Sequence, residues 1–295
     1  DNGSSDICSS VSFSASKITF TCADVGVNSI LFKATDNAGN SASCIAIVTV
    51  VDTSSPIATC KPLAVYLDPT GNVNINPSDL NNGSYDNCGA ITFSASKTTF
   101  TCSNIGINNV TLTVTDNHGN LDSCTSFVTV IDSIAPIAIC KPITLYLDTT
   151  GNVAITSSAL DNGSFDVCGS VSFSASQTIF TCSDIGINNV TLTVTDNYGN
   201  STTCVAVVNV VDNSPPIAIC KPITVYLDPT GKANMNPSDL DNGSSDVCGF
   251  ASLVASDTTF TCTDIGTHNV TLVFTDHYGN TGTCTSEVTV LDITP

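Results

Sequence analysis

The chain repeats itself at a fixed interval of 80 residues, and that interval limits what it can fold into more than any other feature. Cys60-Lys61-Pro62 returns as Cys140-Lys141-Pro142 and again as Cys220-Lys221-Pro222. Thr115-Asp116-Asn117 returns as Thr195-Asp196-Asn197, and residues 102–117 differ from 182–197 at one position, Asn104 against Asp184. No insertion or deletion breaks the register, so the chain is an array of one module. The complete modules fall at 53–132, 133–212 and 213–292; residues 1–52 are the C-terminal two-thirds of another. Asp1-Asn2-Gly3-Ser4 aligns with Asp161-Asn162-Gly163-Ser164, in mid-module, which reads as a window cut from a longer array. An enzyme needs one asymmetric site, and near-identical copies do not supply one. Length, stiffness and repeated surface are the expected carriers of function.

A module of this size is marginal on hydrophobic burial, and the chain has no Trp to enlarge a core. Covalent staples are expected, and the 15 cysteines fall in four columns: Cys8/88/168/248, Cys22/102/182/262, Cys44/124/204/284 and Cys60/140/220. An even number per module points to two disulfides each and to an oxidising, extracellular compartment. Zinc is the rival reading, but zinc sites favour close pairs such as C-x-x-C. The spacings here are 14, 22 and 16 residues, with no repeated His.

The net charge is −19, and Glu287 is the only glutamate, so the acidity is almost all aspartate. Aspartate suits turns and hard-cation sites rather than helices. Without a basic patch, nucleic acid and anionic membrane surfaces are not expected partners, and no apolar run approaches a membrane span.

In the 53–132 module, residues 57–67 read as a strand and residues 68–72 as a Pro/Gly turn. Residues 73–76 form a short strand, and Pro77-Ser78-Asp79-Leu80 one helical turn. Strands follow at 91–96 and 99–102. Val110-Thr111-Leu112-Thr113-Val114-Thr115 alternates, which places valines and leucine on a core and threonines on water. Asp116-Asn117-His118-Gly119-Asn120 is a tight turn, and 123–131 the last strand. Short strands with frequent turn signals and no helical periodicity predict an all-β tandem array of Ig-like antiparallel β-sandwiches. In an Ig-like sandwich the first and last strands lie side by side and parallel. That pairs Cys60 with Cys124, and equivalently Cys140 with Cys204 and Cys220 with Cys284. Cys88 and Cys102 then bracket a hairpin-like segment and are expected to pair, as are Cys8 with Cys22, Cys168 with Cys182 and Cys248 with Cys262, leaving Cys44 unpaired.

The ordered landmarks carry a resemblance. A Pro-x-x-x-Cys opening, an Asp-x-Cys-Gly loop, a Thr-Asp-x-x-Gly-Asn turn (115–120) and a Cys-x-x-x-Val-x-Val-x-Asp ending (124–132) resemble the hyalin-repeat (HYR) family of Ig-like modules. The second cysteine column, Cys102 and its equivalents, departs from many family members. The resemblance implies extracellular adhesion. Long cysteine-bearing arrays of this kind are similar to giant surface adhesins of gliding Bacteroidota, of the SprB type.

The Asp-Asn-x-Gly-Asn turn is ideal turn chemistry, and its oxygens are also calcium-ligand types. A module-end aspartate beside the linker completes a candidate calcium site: Asp116, Asn120 and Asp132, with Asp36, Asn40 and Asp52, and Asp196, Asn200 and Asp212 as equivalents. Asp86, with Asp6, Asp166 and Asp246, is a second, weaker candidate in the Asp-x-Cys-Gly loop. No cofactor is required by the fold. Lys61, Lys141 and Lys221 form the repeated cationic column and are expected to point outward. His118, His268 and His277 share no common column, no Ser-His-Asp arrangement recurs, and catalysis is not expected. Asn82-Gly83-Ser84 and Asn109-Val110-Thr111 match the glycosylation sequon, and equally a turn and a strand start.

Three functions compete. The first is a structural stalk of a cell-surface adhesin, whose partners are neighbouring repeats and, through regions outside this window, surface glycans or substratum. The second is a repeated glycan- or protein-binding module acting through avidity; the third is a spacer within a large enzyme. The recurring aromatics Phe100/180/260 and Tyr66/146/226 read as core, which favours the stalk. The linkers, such as Asp132-Ser133-Ile134-Ala135-Pro136, are short and glycine-free, unlike flexible linkers. They predict end-to-end stacking into a rod on the order of 120–150 Å.

Overall fold

The computed structural model describes residues 1–293, which divide into two compact units, Asp1–Ile134 and Ala135–Pro295. The repeat at 53–132 lies in the first unit. Its strands are Leu63–Tyr66, Asn72–Asn74, Ile91–Ala95, Thr99–Thr101, Gly106–Asp116 and Leu121–Ile131. One sheet has four strands in the order Leu63–Tyr66, Leu121–Ile131, Gly106–Asp116, Ile91–Ala95; the other pairs Asn72–Asn74 with Thr99–Thr101. The second unit holds two repeats of the same topology, and the protein is an all-β tandem array of small sandwiches.

The alternation of the long strand decides which face is core. Val110, Leu112 and Val114 are fully buried, as is Val128 on the neighbouring strand. Phe100 and Leu80, both at 0 % exposure, close the layer from the opposite side. Leu80 is delivered by the turn Pro77–Leu80, where Pro begins the turn and the Asp79 carboxylate accepts the Asn76 N–H at 2.9 Å. Each such buried side chain contributes about 1.5–3 kcal/mol.

The first and last strands are parallel, with Leu63 opposite Val128 and Tyr66 opposite Ile131. The first strand is shorter than the sequence suggests. Ile57 and Cys60 make isolated bridges, to Tyr85 and Asn81, and the ladder begins only at Leu63. Pro56 and Pro62 carry no N–H and interrupt it. Tyr66, Tyr146 and Tyr226 are not core, contrary to their sequence reading. They are 60 %, 57 % and 53 % exposed, because the neighbouring Leu67, Leu147 and Leu227 take the inward positions. Lys61, Lys141 and Lys221 are exposed.

Residues 1–52 form one three-stranded sheet, Val11–Ala15, Gly26–Asp36 and Ser41–Val50. Phe13 stacks on Phe32 at 5.5 Å but stays 49 % exposed. The cleft lined by Val11, Phe32 and Ala34 is the sheet face that Phe100 and Leu80 cover in the next repeat, so it is an uncovered core face rather than a ligand pocket.

Candidate functional site at the repeat junctions

The structure joins Cys60 to Cys124, Cys140 to Cys204 and Cys220 to Cys284, each within one repeat. The other two columns correct the sequence reading. Cys88 bonds Cys22, not Cys102, and Cys248 bonds Cys182, not Cys262. Cys182 therefore does not pair with Cys168; Cys102 and Cys168 are themselves disulfide-bonded. Cys8, expected to pair with Cys22, is free and exposed, as are Cys44 and Cys262. The position 66 residues after Cys262, the separation found for Cys182–Cys248, falls beyond residue 295.

Topology supplies the reason. The Thr99–Thr101 strand does not fold back on Ile91–Ala95 as a hairpin would; it crosses to the other sheet and pairs with Asn72–Asn74. Ile91 lies opposite Asp116 at one end of the long strand, whereas Cys102 is followed at once by Gly106, at the other end. A strand of ten residues spans about 33 Å, so Cys88 and Cys102 sit at opposite ends of their repeat. Each faces a neighbouring repeat instead.

The bonds Cys22–Cys88 and Cys182–Cys248 thus cross the junctions inside the two units, with Cα atoms 4.9 and 5.2 Å apart. Cys248 also packs against the hydrophobic core of the preceding repeat. Gly151 belongs to this junction. Its φ is +75°, and a Cβ there would lie 2.7 Å from Cys182 Sγ and 3.0 Å from Val247 Cγ1, so the position requires glycine. In the entropy picture, closing a 66-residue loop contributes about 4 kcal/mol.

The acidic residues meet at the same junctions, in a different grouping from the one the sequence suggests. Asp116 and Asp132 stand at opposite ends of a hairpin whose register sets Gly106 against Val130 and Thr115 against Leu121. They cannot share an ion with Asn120, and the same geometry separates Asp36 and Asn40 from Asp52, and Asp196 and Asn200 from Asp212. Asp116 instead approaches Asp52, the end of the preceding repeat, with His118 completing the group. His118 Nδ1 lies 3.2 Å from Asp52 Oδ2, an ion-pair distance without hydrogen-bond alignment. In the second unit the group is Asp212, Asp246 and Asp276. The turn is tied to the linker directly: Asn120 Nδ2 donates to the Asp52 carbonyl at 3.3 Å, and Asn280 Nδ2 to the Asp212 carbonyl at 3.1 Å.

No protein-family model matches the chain. It is 28 % identical over 292 residues to hyalin of Strongylocentrotus purpuratus, a match covering 92 % of this chain and 24 % of that protein. The chain thus spans about a quarter of the length of the hyalin it matches. Solved structures similar to it include the extracellular cadherin domains 1–4 of protocadherin gamma B7, at 12 % identity and a TM-score of 0.35, covering 96 % of this chain and 92 % of that one. Mouse cadherin-23 EC22-24 is similar at 12 % identity and a TM-score of 0.34, over 81 % of this chain and 99 % of that one. Among the described residues no helix is long and apolar enough to cross a membrane.

The turn that presents Gly151 to the junction disulfide is set by Asp148. The Thr150 hydroxyl donates to its carboxylate at 2.6 Å, and the N–H groups of Asn152 and Thr150 add bonds at 3.1 and 2.8 Å. These donors, the Thr150 hydroxyl first, hold its pKa below the ordinary 3.8. A lowered folded pKa gives stability that is fully present above the unfolded value and is lost as pH falls through the folded one. The turns at Asp68, Asp148 and Asp228 should therefore be unchanged at neutral pH and loosen below about pH 4. Amide chemical shifts of Thr150 and Asn152 followed through an acid titration check this; a flat profile to pH 2, or the same profile in Asp148→Asn, contradicts it.

Proposed function

We propose that the chain is a segment of a non-enzymatic, extracellular adhesive array, and that its repeats serve as a load-bearing stalk. The observation that carries this reading is the overlap of its disulfide loops. In the second unit Cys140–Cys204, Cys182–Cys248 and Cys220–Cys284 overlap in sequence, so the linker between the two repeats lies inside a closed loop. A force passing from Cys140 to Cys284 crosses three disulfides. It can draw out only the 22 residues back from Cys204 to Cys182 and the 28 back from Cys248 to Cys220, 50 in all against 144 for the direct chain. A catalytic protein has little need of such a restraint, whereas a tether under tension does. The similarity to hyalin supports the extracellular repeat reading. Six cysteines paired within repeats and four across junctions fit an oxidising exterior. Surface adhesins of gliding Bacteroidota, whose arrays the sequence resembles, are one setting for such a stalk.

A second reading draws on the tyrosines. Tyr66, Tyr146 and Tyr226 form an exposed aromatic column with the period of the array, as a repeated glycan- or protein-binding module would require. The two readings are separable by experiment. Pulled in the intact chain between points just outside Cys140 and Cys284, the oxidised second unit should extend to about 170 Å of covalent path, and to about 490 Å after reduction. Equal extensions in the two states contradict the stalk. On a glycan array the stalk predicts the same null profile for the wild type and for the triple variant Tyr66→Ala, Tyr146→Ala, Tyr226→Ala. Binding that the triple variant loses by about tenfold or more supports the second reading.

A further inference from the structure

We propose that Asp212, Asp246 and Asp276 form a site for a hard divalent cation, calcium, at the junction between the second unit's two repeats. The site goes beyond the stalk reading and does not depend on it. Its three carboxylates come from three elements: Asp212 ends one repeat, Asp246 lies in the loop before Cys248 of the next, and Asp276 opens that repeat's tight turn. One oxygen from each lies within 4.8 Å of the others. Calcium binds oxygens at about 2.3–2.6 Å, so ligands on opposite sides of one ion stand at most about 5 Å apart. The grouping has the size of a single coordination sphere.

The independent observation is Asp212 itself. The residue is 4 % exposed; its Oδ1 accepts the Ser214 N–H at 3.0 Å, and its buried Oδ2 has no hydrogen-bond partner. A buried carboxylate oxygen without a partner costs several kcal/mol unless a counter-charge sits beside it. The salt bridges among the described residues are Lys17–Asp24 and His118–Asp52, so no basic side chain answers Asp212, Asp246 or Asp276. Asp276, 2 % exposed, is fixed by the N–H groups of Tyr278 and Asn280, each at 2.8 Å, and by Asn280 Nδ2 at 2.6 Å. Asp246 accepts the Cys248 N–H at 2.8 Å on Oδ1. The donors are all carboxylate oxygens, with no nitrogen or sulfur, which selects a hard cation over zinc or copper. Half-buried Asp246 leaves room for the waters that complete a calcium shell and that a rigid octahedral magnesium site accommodates less readily.

The first unit's junction shows what changes when a side chain supplies the positive group. There Tyr278 is replaced by His118, whose ring nitrogen faces the Asp52 oxygen equivalent to Asp212 Oδ2.

Terbium is the probe for the site, because Tyr278 lies two residues from Asp276 and tyrosine sensitises its luminescence; calorimetry measures calcium itself. The intact chain should take up calcium with a Kd on the order of 1 mM or tighter, and calcium should displace terbium. Asp212→Asn should remove one bound ion per chain, and Asp246→Asn should weaken the same ion by about tenfold. Both variants are to be compared at unchanged circular dichroism with Cys182–Cys248 formed; Asp246→Asn, in an exposed loop, serves if Asp212→Asn fails to fold. No calcium uptake by the wild type up to about 10 mM, or the same number of ions at the same affinity in the folded variants, overturns the proposal.

Discussion

The bond from Cys182 to Cys248 is the contact on which the arrangement of the second unit depends. It leaves the helical turn that ends one repeat and enters the loop that opens the next. An array of small sandwiches has weak points at its linkers, where few residues are buried. A disulfide placed across the linker, with its sulfurs in the preceding core, transfers the stability of both cores to that point. Such a bond acts through the unfolded state, by removing chain entropy, and so remains effective where the core itself is small.

Other features of the junction follow from that bond. Gly151 must lack a side chain because Cys182 Sγ occupies the space a Cβ would take. Asp148 holds the turn that presents Gly151, through the Thr150 hydroxyl and two N–H groups. Closing the two repeats on each other also brings Asp212 beside Asp246 and Asp276, and gives the Asp212 carbonyl its partner in Asn280. Covalent, turn and acidic chemistry therefore converge where two repeats meet, while the interior of each repeat is plain aliphatic packing around Phe180 or Phe260.

What the sequence discloses and what it conceals have physical causes. Val110-Thr111-Leu112-Thr113-Val114 announces its core face because strand periodicity is local, and the parallel first and last strands follow from the sandwich and bring Cys60 to Cys124. The short spacing of Cys88 and Cys102 suggests a local staple, because nothing in the spacing reveals that the intervening segment changes sheets. Two signals were available. Thr99–Thr101 alternates with Asn72–Asn74 as a possible partner, and the tyrosines at 66, 146 and 226 are flanked by inward aliphatic residues on both sides. The acidic grouping was half legible: the turn and the module-end aspartates are the right residue types, but a repeat's own end is a strand's length from its own turn. Only the next repeat can complete the set, and that is a tertiary fact.

The covalent crossing can be tested without reference to function. A protease site inserted after Asn213 allows the chain to be cut between Cys182 and Cys248, with free thiols blocked beforehand. The account predicts that the cut protein, denatured but not reduced, runs as a single species of full mass and separates into two only on reduction. Two fragments released without reductant would contradict a disulfide across the junction, and with it the account of how these repeats are held together.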